Sequence, residues 1–301
     1  GTRWKCQACG KGGDIFDLYG AINHCDLPEA TRRIMDIYGT PSNVPAPKPA
    51  KAPAGPIRHD YAAEIARFAA ALEGSKGETY LKGRGFTRDT MRNKRFGYDA
   101  AHGTITIPYS GSNTYYGQRS IDDTATGKHY NLKDVEIPLY NPEALYTAPV
   151  CFVVESPLCA ASIEQEGGAA VSISGTNGGG RLHTQLKKKP TQAALIVSLD
   201  NDEAGQEAAA GLLKELKAAG YCALQADIAG EYKDPNERLQ HDAAGLRQAI
   251  SAAIMDAEKA QKAEAEKVAD EYRQESAEGY IEQFFNGVAD SVNTPAIPTG
   301  F

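Results

Sequence analysis

From residue 150 onward the sequence alternates short apolar runs with helix-forming stretches, and this alternation constrains the fold more than any other feature. The runs are VCFVVES (150–156), AAVSISG (169–175), AALIVSLDND (193–202) and YCALQADI (221–228). Between them lie PLCAASIEQEGG, a loop and helix through Lys189, and EAGQEAAAGLLKELKAAG. Strands without a polar face are buried on both sides, and a strand–helix–strand rhythm gives a parallel sheet covered by helices.

In an open parallel sheet, ligands sit beyond the carboxyl ends of the strands. Glu155 ends one apolar run, and Asp200 and Asp202 end another. Alternate residues of an extended segment point the same way, so the two aspartates can face one ion while Asn201 points aside. A fourth acid, Asp234, follows the next strand in YKDPNERL. Gathered carboxylates raise one another's pKa unless a cation neutralises them. Hard oxygen donors specify Mg²⁺ or Mn²⁺, and such a cluster suits phosphoryl transfer. Helix capping by Asp200 and Asp202 is the structural alternative. It accounts for Asp202 equally well, and it leaves Glu155 unexplained.

The first half is organised differently. Residues 1–39 hold the spaced pair Cys6 and Cys9 and a helical pattern, PEATRRIMDIYG. Residues 40–57 are rich in Pro and Ala, an extended spacer with no packed core. Residues 58–148 predict a mixed α+β unit: helices over 59–74 and up to Gly85, then strands over 103–111, 114–121 and 136–141. Residues 149–241 form the parallel-sheet unit. Residues 242–301 predict a helical segment and tail, interrupted near Gly279.

Charge follows the same division. The net charge of -7 resolves into +3 over residues 1–148 and -10 over residues 149–301. Basic residues concentrate between Lys76 and Arg95, so nucleic acid can meet the first half despite the acidic total. Six cysteines in 301 residues make no disulfide framework. No apolar run approaches the ~20 residues that a bilayer span requires, and the start has no secretory apolar stretch; a cytoplasmic protein is expected.

The blocks FVVESPLCAASIEQEGGAAVSISGTNG and LIVSLDNDEAGQEAA resemble the two signatures of Toprim domains. KDPNERL looks like a further primase block. Ahead of them, YLKGRGFTRDTMRNKRFGY, ITIPYS, YYGQRSI and KHYNLKDVEIPLYN are similar, in that order, to the basic subdomain of DnaG-like primases, and WKCQACGKGGDIFDLYG to the second half of their zinc ribbon. The resemblance implies a phage- or mobile-element-type DNA primase that joins NTPs on a single-stranded DNA template. Glu155, Asp200 and Asp202 would be catalytic metal ligands, with Asp234 assisting. Cys6 and Cys9 would belong to a zinc site whose other pair precedes residue 1, with His24 and Cys25 as nearby alternative donors. Lys82, Arg84, Arg95, Arg119, Lys128, Asn131, Gly175 and Thr176 would meet nucleic acid or nucleotide. The C-terminal helix would meet a replicative helicase, since the chain carries no Gly-x-x-x-x-Gly-Lys motor segment.

One departure stands out. Many Toprim domains read Glu-Gly-x-x-Asp, and here the second acid is Cys159. A packed helix cysteine is the expectation there. Two further classes remain open: a Toprim-type nuclease using the same metal cluster, and a catalytically decayed single-strand-binding accessory protein.

Overall fold

The computed structural model describes residues 4–5, 12–38, 59–109, 111, 113–122, 124 and 127–293. The chain divides into two compact units, Gly1–Ile57 and Arg58–Phe301. In the first, strands β1 (Trp4–Lys5) and β2 (Gly12–Gly13) pair antiparallel, followed by helices α1 (Ile15–Asn23) and α2 (Leu27–Tyr38). Asp14 and Asp17 form a reciprocal capping box at the start of α1, satisfying two orphan amide donors. Cys6 and Cys9 lie outside the described residues. His24 takes a left-handed conformation as the C-cap of α1.

The second unit opens with α3 (Ala62–Ala70), α4 (Lys76–Gly83) and α5 (Arg88–Asn93). These precede an antiparallel sheet of β3 (Gly97–Asp99), β4 (Thr104–Pro108), β5 (Tyr116–Ser120) and β6 (His129–Tyr130), paired in chain order. The expected strand over 136–141 does not form. Only Tyr140 bridges to Ser172, and Pro138 and Pro142 remove backbone donors on either side.

After the short α6 (Ala144–Thr147), the chain runs through β7 (Val150–Val154), α7 (Pro157–Gln165), β8 (Ala170–Ser172), α8 (Gly179–Lys188), β9 (Ala194–Val197), α9 (Glu203–Ala218) and β10 (Ala223–Gln225). Every strand pair in this sheet is parallel, in the order β10-β9-β7-β8. Strand alternation sorts the core. Val150, Phe152 and Val154 pack toward α7 and the antiparallel sheet, whereas Cys151 and Val153 pack toward α8 and α9. Because β8 lies on one side of β7 and β9 on the other, the order reverses between β7 and β9, the point at which open parallel sheets bind ligands.

Helix α10 (Pro235–His241) leads into α11 (Ala243–Asn293). Leu246, Ile250, Ala253 and Ala257 bury one face of α11, at a spacing of three and four. The expected interruption at Gly279 is absent. A single glycine costs a helix about 1 kcal/mol, and the flanking Ala, Glu and Gln residues outweigh it. No helix among the described residues is long and apolar enough to cross a membrane.

Candidate metal centre and nucleic-acid interface

Each acid is fixed by its own local device. Glu155 leaves the buried strand β7, and its carbonyl accepts from Gly175 N–H at 3.0 Å and from the Ser172 hydroxyl at 2.8 Å. Gly175 adopts φ 109, a conformation that only glycine reaches without strain. Its amide is thereby committed to Glu155, so Gly175 shapes the strand end; Thr176 opens the 3₁₀ turn that follows. Asp200 follows β9, and the start of α9 passes so close that a Cβ on Gly205 would lie 2.2 Å from the Asp200 carbonyl oxygen.

Asp202 is the N-cap of α9, with Oδ1 accepting from Gly205 N–H at 2.9 Å. Asp234 caps α10 in the same way, with Oδ1 accepting from Glu237 N–H at 2.8 Å. Capping therefore occupies one carboxylate oxygen of each and leaves Oδ2 for another partner.

Asn201 does more than point aside. Its Nδ2 donates to Asp227 Oδ1, Gly230 O and Tyr232 O at 3.0–3.1 Å, and its backbone N–H donates to Lys233 O at 2.7 Å. It staples the 227–233 loop against the end of β9 and so delivers Lys233 and Asp234 to Asp200. Strand alternation hid this role, because the residue between two ligands reads as facing away.

The acids converge. Ligand atoms of Asp200, Asp234 and Cys159 all lie within 4.8 Å of one another. Burial, then the charges of Asp200 and Asp202, push Glu155 up to about 7. Burial, then Asp234, pushes Asp200 up to about 6. Asp202 is held below the usual carboxylate range by the Gly205 amide and then by Lys233. One cation partly balances the group: Lys233 Nζ lies 3.5 Å from Asp200 Oδ2 and 3.2 Å from Asp202 Oδ2. Carboxyl groups that retain protons near neutrality fit a hard divalent ion, because that ion supplies the charge the site lacks. Cys159 is buried, as expected of a packed cysteine, yet its thiol borders the carboxylates and offers them a soft donor.

The basic residues separate into two groups. In the first, Tyr80 hydroxyl accepts from Arg84 Nε at 3.1 Å and from Arg119 Nε at 2.8 Å, and Arg119 Nη1 donates to His129 Nε2 at 2.7 Å. Arg84 also reaches Asn236, two residues past Asp234. Tyr80 was not singled out from sequence; its position four residues before Arg84 on one helix face is the signal that could have found it. Lys128 and Asn131 flank β6, where Asn131 accepts from the Tyr115 hydroxyl at 2.9 Å. In the second group, Lys82 and Arg88 both pair with the buried Glu78. Arg95 donates to Asn113 and, with Arg88, Arg92, Leu72, Met91 and Phe96, lines a separate cavity of about 210 Å³. Lys82 and Arg95 thus have side-chain partners other than those of the Arg84–Arg119 pair.

Comparison with known proteins agrees with this architecture. Residues 152–239 match the family described as Toprim-like. The zinc-binding and RNA polymerase domains of the Aquifex aeolicus primase superpose with a TM-score of 0.50 at 17% identity, over 83% of this chain and 73% of that one. The RNA polymerase domain of Mycobacterium tuberculosis primase DnaG gives 0.52 at 22% identity, over 64% and 81%. The same domain bound to a double-stranded DNA oligomer with a 6-nucleotide overhang gives 0.51 at 21%, over 64% and 78%. No curated protein matches the chain. The chain thus carries a Toprim-like domain within the fold of DnaG-type primases.

Proposed function

We propose that this chain is the primer-synthesising core of a DnaG-like primase, a nucleotidyltransferase that joins NTPs on a single-stranded DNA template. The observation that carries the reading is the convergence of Glu155, Asp200, Asp202 and Asp234 beyond β7 and β9, beside an arginine pair linked to the Asp234 segment through Asn236. Mg²⁺ or Mn²⁺, held by these four acids, would supply charge neutralisation and Lewis acidity at phosphoryl oxygens.

The remaining work falls to the chain's own side chains. Glu155 and Asp200, raised by burial and by neighbouring carboxylates, ionise more readily once a cation balances them. Arg84 and Arg119, spaced by the Tyr80 hydroxyl, present two guanidiniums to nucleotide or template phosphates. Lys128 and Asn131 extend that surface along β6. The ligand-binding point at the strand reversal holds the primer end against the acids. Zinc bound through Cys6 and Cys9, and a replicative helicase meeting the exposed stretch of α11, complete the proposal.

The test is incorporation of labelled NTP on single-stranded DNA with Mg²⁺ or Mn²⁺. Short RNA products support the reading. Nicking of DNA without incorporation replaces it with a Toprim-type nuclease. Template binding that survives EDTA, with no incorporation under either metal, replaces it with a single-strand-binding accessory protein.

A further inference from the structure

We propose that Lys233 is a tethered cation: it holds the metal position of the acidic cluster in the metal-free chain, then hands its charge to phosphate once a divalent ion binds. This inference rests on the function proposed above and concerns the same site. The ammonium sits between Asp200 Oδ2 and Asp202 Oδ2, at 3.5 and 3.2 Å. Asp202 Oδ2 is the oxygen that capping leaves for an ion, since Asp202 Oδ1 is engaged by Gly205 N–H. An ammonium and a divalent ion cannot share this position, because their repulsion at such separations opposes both.

The attachment of Lys233 decides what happens next. Its backbone is held on both sides: the N–H donates to Glu237 Oε2 at 2.6 Å, and the carbonyl accepts from Asn201 N–H at 2.7 Å. Its side chain, in contrast, is 57% exposed and lies on a flexible four-carbon stem. Entry of the ion therefore moves the side chain and leaves the loop in place. The released ammonium remains within one stem length of the cluster, where phosphate oxygens coordinated to the ion would lie. A lysine is suited to this because its point charge imposes no fixed geometry on the group it meets.

The consequence is a reversal of sign. Lys233 weakens binding of the ion alone and strengthens binding of the ion together with a triphosphate. A residue that only stabilised the loop would weaken both when replaced.

The experiment measures two affinities in the parent, Lys233→Met, Lys233→Arg and Asp200→Asn chains: free Mn²⁺ by electron paramagnetic resonance titration, and a fluorescent ATP analogue at saturating Mn²⁺. Lys233→Met is expected to bind Mn²⁺ about two- to fivefold tighter than the parent, and the nucleotide about two- to fivefold weaker, on the scale of exposed ion pairs. Lys233→Arg is expected to keep nucleotide affinity near the parent's. Unchanged or weaker Mn²⁺ binding in Lys233→Met overturns the inference, as does unchanged nucleotide binding. Equal Mn²⁺ binding by the parent and Asp200→Asn refutes the metal site itself, and this inference with it.

Discussion

Arg84 Nη1 donates to Asn236 Oδ1 at 2.8 Å, and Asn236 Nδ2 returns a bond to the Arg84 carbonyl at 3.2 Å. This reciprocal pair joins the end of α4 to the first turn of α10, across 152 residues of sequence. Asn236 is 1% exposed, and its Nδ2 also reaches the Ser162 hydroxyl at 2.9 Å. Replacing it with alanine leaves a guanidinium, a carbonyl and a hydroxyl without this partner. We expect Asn236→Ala to lose about 2–3 kcal/mol of stability in urea unfolding and to bind single-stranded DNA more weakly.

Glycine 205 separates helix propensity from site geometry. Ordinarily Gly→Ala inside a helix stabilises by up to about 1 kcal/mol. At Gly205 the added Cβ would meet the Asp200 carbonyl, so Gly205→Ala should instead destabilise by about 1–3 kcal/mol and weaken Mn²⁺ binding. Gly211, with open space around it, is the control. Gly211→Ala should be neutral or stabilising in thermal unfolding and leave metal affinity unchanged.

The raised carboxyls set a pH dependence. Glu155 and Asp200 titrate higher in the folded chain, at about 7 and about 6, than when unfolded. Between about pH 4 and 7 the folded state therefore binds more protons, and stability falls as pH rises through that window, reaching its full loss above about 7. In EDTA, Glu155→Gln should match the parent in Tm at pH 5 and exceed it at pH 8. Saturating Mn²⁺ should abolish that advantage, because the ion offsets the repulsion in the parent. A constant difference across pH would show that burial and the neighbouring aspartates do not raise the Glu155 carboxyl.

Cys159 is open to a restoration test. Its thiol is 1% exposed and borders Asp200 and Asp234. Cys159→Asp adds a buried carboxylate to a group already short of positive charge, so Tm in EDTA should fall by several degrees. Mg²⁺ should then raise Tm more in the variant than in the parent. If Mg²⁺ gives both the same increment, position 159 makes no contribution to ion binding.

Much of the site was legible because its signals are local. Apolar runs ending in Glu155 and Asp200 report buried strands, and strand ends in a parallel sheet share one edge. The capping reading of Asp202 also holds, and the structure shows how one carboxylate serves two partners. What stayed hidden depends on contacts between distant segments. Asn201 reads as a bystander until the 227–233 loop folds onto it. Lys82 and Arg95 fall within the same basic run as Arg84, but Lys82 pairs with Glu78 one turn back on α4, and the turns between α4, α5 and β3 carry Arg95 to Asn113. The 136–141 segment shows a strand-like pattern, yet its pairing ends at Tyr140 because only Ser172 meets it.

The central claim is that acids from separate segments share divalent ions. Mn²⁺ titration of the parent, Glu155→Gln, Asp200→Asn and Asp202→Asn tests it most directly. Each variant should weaken binding by about tenfold or more, as loss of even indirect ligand support typically does, and each should lose NTP incorporation. Parent-like Mn²⁺ affinity in any of the three variants would contradict the account.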